Sequence, residues 1–173
     1  RSSRLRGKQN FYREETKDAK KKSSPGKWRT IMGYGESTNP ELERIARIIV
    51  DSIFKVHSTL GPGLLESVYS ICLAHELRKR GLKVDREVIL PVLYDGLRLE
   101  SGLRLDLRVE SCIIIETKAV EKLIPLFDAQ LLTYLKLTLY KLGFLVNFNV
   151  PLIKDGIKRI IFTNKNQPPA IEP

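Results

Sequence analysis

Thiols, imidazoles and long apolar runs are all scarce in this chain. Two cysteines, Cys72 and Cys112, and two histidines, His57 and His75, stand among its 173 residues. The cysteines form no closely spaced C-x-x-C pair and the histidines no H-x3–5-H pair, so the paired spacing of zinc ligands is lacking and a reducing compartment fits. No apolar run approaches the roughly 20 residues that a membrane span requires, and the start at Arg1 shows no apolar signal core. The chain is therefore expected to be soluble and intracellular, cytoplasmic or organellar, with a processed mitochondrial product as one option. Apolar residues still make up 42% of the sequence, enough for one ordinary domain to bury a core without staples.

Acidic residues are also in deficit, 20 against 30 basic ones, for a formal charge of +10. The excess is not spread evenly. Residues 1–38 hold eleven basic and four acidic side chains, a net +7, which leaves +3 for everything after them. This stretch mixes Arg, Lys, Ser and Gly with Phe11, Tyr12, Trp28 and Tyr34, and has no period of 2 or 3.6, so it cannot form a core of its own. It reads equally as an extended nucleic-acid- or partner-binding arm and as a solvated tail. The division expected is an arm over 1–38, a folded domain over 39–164 and a loose C-terminal tail over 165–173.

The first helix is expected at Asn39-Pro40, a capping residue followed by proline, with Glu41 and Glu43 in the first turn where the helix dipole favours them. Ile45, Ile48, Ile49, Ile53, Val56 and Leu60 form its apolar face, and Gly61-Pro62-Gly63 ends it. A second helix is predicted from about Leu64 to Arg80, with Leu65, Val68, Cys72 and Leu77 on one side. From Lys83 the period becomes that of strands. Val88 to Tyr94 contains Pro91, which suits an edge strand or a bulge, and Asp95-Gly96 signals a hairpin to Leu97–Glu100. Leu103, Leu105, Leu107 and Val109 alternate with charged residues, predicting one apolar and one charged face. Cys112 to Lys118 carries three isoleucines in a row and implies burial on both faces. A helix from about Pro125 to Leu142 and strands at Phe144–Asn149 and Ile157–Phe162 complete an α/β domain, an α+β mixed sheet with flanking helices.

Charge in that buried setting needs a reason. Alternation places Glu116 and Lys118 on one face of their strand and Thr117 on the other. Asp106 joins them only if Glu110-Ser111-Cys112 form a three-residue loop; a two-residue loop would turn the carboxylates to opposite faces. Two carboxylates so placed suit Mg²⁺ (or Mn²⁺), with Lys118 orienting a nucleophile or stabilising a phosphorus transition state. The alternative is a structural ion pair in which Lys118 neutralises Glu116. His57, near a helix end, is expected to supply a positive charge or a core hydrogen bond rather than to bind metal, and His75 to lie on the surface.

Gly63-Leu64-Leu65-Glu66-Ser67-Val68-Tyr69 resembles the signature of the GxxExxY proteins, a branch of the PD-(D/E)XK nuclease superfamily. The likeness runs from about Leu42 to Phe162 and takes in Arg104-Leu105-Asp106-Leu107, Ile115-Glu116-Thr117-Lys118, the stretch Ala129 to Leu137 and Gly143 to Phe148. It implies an α-β-β-β-α-β core, metal-binding acids at Asp106 and Glu116, a catalytic lysine at Lys118 and a further acid at Glu66. It also places Gln130 and Tyr134 near the site. Leu139 stands where relatives have a small residue. The activity implied is Mg²⁺-dependent hydrolysis of phosphodiester bonds in DNA or RNA. The alternative reading is a non-catalytic nucleic-acid-binding or structural subunit of a nucleoprotein assembly, for example a ribosome-associated protein, using the basic arm. DNA or RNA is the expected partner under both readings, no membrane is, and the oligomeric state stays open.

Overall fold

The computed structural model describes residues 39–163; the expected arm over 1–38 and tail over 165–173 lie outside the described residues. Helix α1 spans Pro40–Leu60 and α2 Glu66–Lys79. Strands β1 (Val84–Tyr94), β2 (Leu97–Val109) and β3 (Ile113–Lys118) follow, then α3 (Pro125–Thr138), β4 (Leu142–Asn147), a short 3₁₀ turn at Ile153–Asp155 and β5 (Ile157–Ile161). The sheet has the order β1-β2-β3-β4-β5 and is antiparallel except for the parallel β3–β4 pair, which α3 connects. No described helix is long and apolar enough to cross a membrane.

Helix α1 begins as its sequence dictates. The Asn39 side chain accepts hydrogen bonds from the Glu41 and Leu42 amides, and Ile45, Ile49, Ile53 and Val56 are buried. His57 is buried as well and donates Nε2–H to the Val150 carbonyl at 2.8 Å, which makes it a tie between α1 and the loop after β4. Arg159 of β5 meets Glu43 of α1 through two guanidinium–carboxylate bonds, one of them 3.0 Å long, in a largely buried pair. Nothing in the local sequence announces that pair, because its partners are 116 residues apart.

Helix α2 departs from its expected face. Tyr69, Leu73, Ala74 and Leu77 enter the core, whereas Leu65 is exposed and Val68 and Cys72 are half-buried. The cause is Tyr69. Its hydroxyl donates to the Gly61 carbonyl at 2.6 Å and accepts from the Leu64 amide at 3.1 Å, while its ring stacks on Phe148 with centroids 4.6 Å apart. Anchoring that large side chain rotates the helix so that its neighbours one turn on follow it inward.

The β1–β2 hairpin turns at Asp95-Gly96, both with positive φ, as a two-residue loop of this kind requires. Residues Leu97 to Val109 form one continuous strand rather than two. Around Pro91 the pairing shifts, with Leu90 opposite Leu103 but Val92 opposite Leu99, so β2 carries extra residues where proline cannot donate. Gly102 lies in this bulge; a Cβ there would come 2.4 Å from a Val92 methyl.

The expected single apolar face of β2 is not observed. Leu107 and Val109 pack with α1 and α2, whereas Leu105 packs with Ile114, Leu131, Leu135 and Leu145 on the α3 side. On β1 Val84 joins the first core and Val88 the second. Both strands thus change faces between paired positions, at Glu87, whose φ is +52°, and at Asp106. A strict period of 2 cannot record such a reversal.

Leu139 ends α3 in the left-handed region, with φ +60° and an exposed side chain. A β-carbon is costly there and glycine is not. Leu139→Gly is therefore expected to raise unfolding free energy by ~0.5–1 kcal/mol in urea titrations; an unchanged or lower midpoint would show that Leu139 is held by packing.

Candidate active site

The turn from β2 to β3 decides the geometry. Val109 pairs with Ile113 and Leu107 with Ile115, so Glu110, Ser111 and Cys112 form a three-residue loop. Glu110 and Ser111 both adopt positive φ, and the Glu110 side chain accepts the Lys83 amide at 2.8 Å. Continuing this register sets Asp106 opposite Glu116, the arrangement the odd-numbered loop predicts.

At that point the two strands stop exchanging main-chain bonds, and the carboxylates take over. Asp106 Oδ2 accepts the Thr117 amide at 2.9 Å and the Thr117 hydroxyl at 3.0 Å, and Glu116 Oε1 lies 3.4 Å from the Asp106 amide. Thr117 is fully buried and, though on the opposite face from Glu116, reaches Asp106 because β2 reverses there. Nothing in the local sequence marks Thr117 for this role, because Asp106 lies eleven positions earlier.

Lys118 Nζ stands 3.7 Å from Glu116 Oε2 and 5.5 Å from the centre of the Phe127 ring in the first turn of α3. Burial pushes the Glu116 carboxyl up to about 8, the Asp106 charge pushes the same way, and Lys118 and the Asp106 amide oppose both. Asn147, directly across from Lys118 on β4, fixes the next stretch of chain. Its amide oxygen accepts the Val120 N–H at 3.1 Å and its nitrogen donates to the Val120 carbonyl at 2.8 Å. The Phe148 amide bonds the Lys118 carbonyl at 2.9 Å, so the end of β3 is held by main-chain bonds from the β4 side and by the Asp106 carboxylate from the β2 side.

Glu66 opens α2, one residue beyond its cap, and solvent reaches it. Partial burial raises its carboxyl above the ordinary value; Lys118 opposes the rise, Asp106 adds to it, and the Ala119 amide and Arg104 lower it again. It therefore shares the field of the acid pair. Among the described residues, however, no three His, Cys, Asp or Glu side chains gather tightly enough to hold one ion. Gln130 donates its side-chain amide to the Tyr134 hydroxyl at 2.8 Å, on the same face of α3 as Phe127, three and seven residues on. Asp106, Glu116 and Lys118 are thus brought together, with Glu66 at the margin and Gln130 and Tyr134 joined to each other on the adjoining helix.

The two paired acids suit a hard cation. They offer oxygen donors only, and holding two negative charges side by side in a buried setting is unfavourable until a positive charge joins them.

A mixed sheet that parts over an acid–acid–lysine cluster defines a nuclease-like class of α/β protein. The family model described as the PD-(D/E)XK nuclease superfamily matches residues 43–160, and the chain belongs to that superfamily. Comparison with curated proteins and with solved structures returns no match.

Proposed function

We propose that this protein is a metal-dependent phosphodiesterase acting on DNA or RNA. The observation that carries this reading is the facing of Asp106 and Glu116 at the parting of β2 and β3, with the Lys118 ammonium beside them. Asp106 and Glu116 would hold a divalent cation, Mg²⁺ or Mn²⁺, which supplies an acidified water and offsets charge on a phosphate oxygen. Thr117 holds Asp106 in place through two bonds to one oxygen, so the carboxylate that would bind an ion is fixed by its neighbour. Lys118, whose ammonium lies over the Phe127 ring, presents a positive charge to the nucleophile or to the phosphoryl oxygens. Glu66 borders the cluster as a further acid, and Gln130 and Tyr134 offer polar groups to the bound strand from α3.

Within the superfamily we assign the chain to the GxxExxY branch, and the motif has a physical sense here. Gly63 takes a φ of +95° that other residues resist, Tyr69 locks the turn before α2, and Glu66 between them feels the charges of Lys118 and Asp106.

The test compares purified protein with Asp106→Ala on single- and double-stranded DNA and RNA, with Mg²⁺ or Mn²⁺ against EDTA. Cleavage is expected only with the metal, and the variant is expected to lose at least about a hundredfold in rate. Equal cleavage by both proteins would mean a contaminating nuclease and would overturn the proposal.

A further inference from the structure

The β1–β2 hairpin runs on past the rest of the sheet. Strand β3 reaches only Leu107, Arg108 and Val109 of β2, so among the described residues no strand pairs with the β2 edge from Leu97 to Asp106. Every residue from Leu93 to Gly102 is exposed, including Leu93 at 70%, Tyr94 at 73%, Leu97 at 57% and Leu99 at 45%. A long strand edge with apolar side chains is a template for another strand.

The backbone says which groups it would offer. In a two-residue hairpin the closing pair, here Tyr94 and Leu97, exchanges main-chain bonds, and so does the pair two residues on, Val92 and Leu99. Arg98 and Glu100 therefore direct their N–H and C=O groups outward, along the open edge. Any antiparallel partner must engage those two residues.

We infer that this edge pairs with the same edge of a second copy of this chain, antiparallel about a two-fold axis at Leu99. Three symmetric registers satisfy the outward bonds. Centring on Arg98 sets arginine against arginine, and centring on Glu100 sets glutamate against glutamate; like charges directly opposite are destabilising. Centring on Leu99 sets Arg98 of each copy against Glu100 of the other, twice, and brings the two Leu99 side chains together at the closely spaced position between them. The one symmetric register free of repulsion is also the one that packs apolar on apolar. Arg98 Nε and Glu100 Oε1 are already 2.5 Å apart within one chain, so both charges lie on one face of the strand, opposite Leu99. The contact is isologous and closed, and does not propagate. It ends at Ser101, short of Asp106, so the acid pair remains open in both copies.

The experiment uses the full chain. Sedimentation equilibrium should give twice the 19.8 kDa chain mass. Arg98→Glu and Glu100→Arg, each of which creates like-charge contacts, should each weaken the dimer at least about tenfold, and the double exchange should restore it to within about threefold. Leu99→Cys should form an interchain disulfide under mild oxidation far faster than Leu93→Cys, which lies on the other strand. A monomer at concentrations up to about 100 μM would overturn the inference. So would single exchanges without effect, equal crosslinking at the two cysteines, or a mass that rises only when an oligonucleotide is added, which would assign the hairpin to nucleic acid.

Discussion

Lys118→Met is expected to lower the single-turnover cleavage rate by roughly 10²–10³-fold without weakening divalent-ion binding. Methionine keeps roughly the length and apolar character of the lysine stem, while the ammonium's contact with the Phe127 ring is lost together with the charge. Only the ammonium 3.7 Å from Glu116 is removed. Loss of that positive charge makes the acid pair more attractive to a cation, so titration calorimetry with Mn²⁺ should show equal or tighter binding. A role as mere counter-ion to Glu116 predicts the opposite pattern, a stability change with little change in rate. Cleavage within about threefold of wild type at saturating metal would eliminate the catalytic assignment.

Glu116→Gln is expected to make the metal-free protein more stable at alkaline pH while abolishing ion binding and cleavage. A carboxyl held at about 8 in the fold and at its ordinary 4.5 when unfolded keeps its proton in the native state over the interval between them. Its contribution is full below 4.5, falls as pH rises through the folded value, and is constant above it. The full shift corresponds to about 5 kcal/mol, which relaxation and entry of water cut to ~1–3 kcal/mol. Glutamine has nearly the same shape and no charge to desolvate. The variant should therefore melt roughly 3–8 °C above wild type at pH 8.5 in EDTA and close to it at pH 4.5. Saturating Mg²⁺ should raise only the wild type. A variant that melts lower at every pH would mean that the Glu116 charge stabilises the fold, contrary to the burial that raises its pKa.

The features legible in sequence were those set by neighbours in the chain. Asn39-Pro40 fixed the start of α1, Asp95-Gly96 the hairpin, and Pro91 the bulged outer strand. The consequence of the Glu110–Cys112 loop could be stated as a choice of registers, and the observed length selects the one that unites Asp106 with Glu116. The rest depended on contacts between distant segments. The facing of α2 follows from Tyr69 meeting Gly61 and Phe148, and no helical period contains Phe148. The reversal of β2 at Asp106 needs its partner Glu87, nineteen positions earlier. Thr117 and Asn147 support the cluster through bonds whose other ends lie far along the chain, Asp106 on β2 and Val120 after β3, a form of evidence that residue type alone does not carry.

The bond from the Thr117 amide to Asp106 has a practical consequence. A main-chain N–H that would ordinarily meet a carbonyl here meets a side-chain carboxylate oxygen of the acid pair proposed to hold the ion. Its proton resonance should lie downfield in the amide spectrum and move as Mg²⁺ is added, collapsing toward ordinary values in Asp106→Ala. The fold has thus placed a spectroscopic probe inside its own acid cluster, one that reads occupancy in solution without a substrate, a label or turnover.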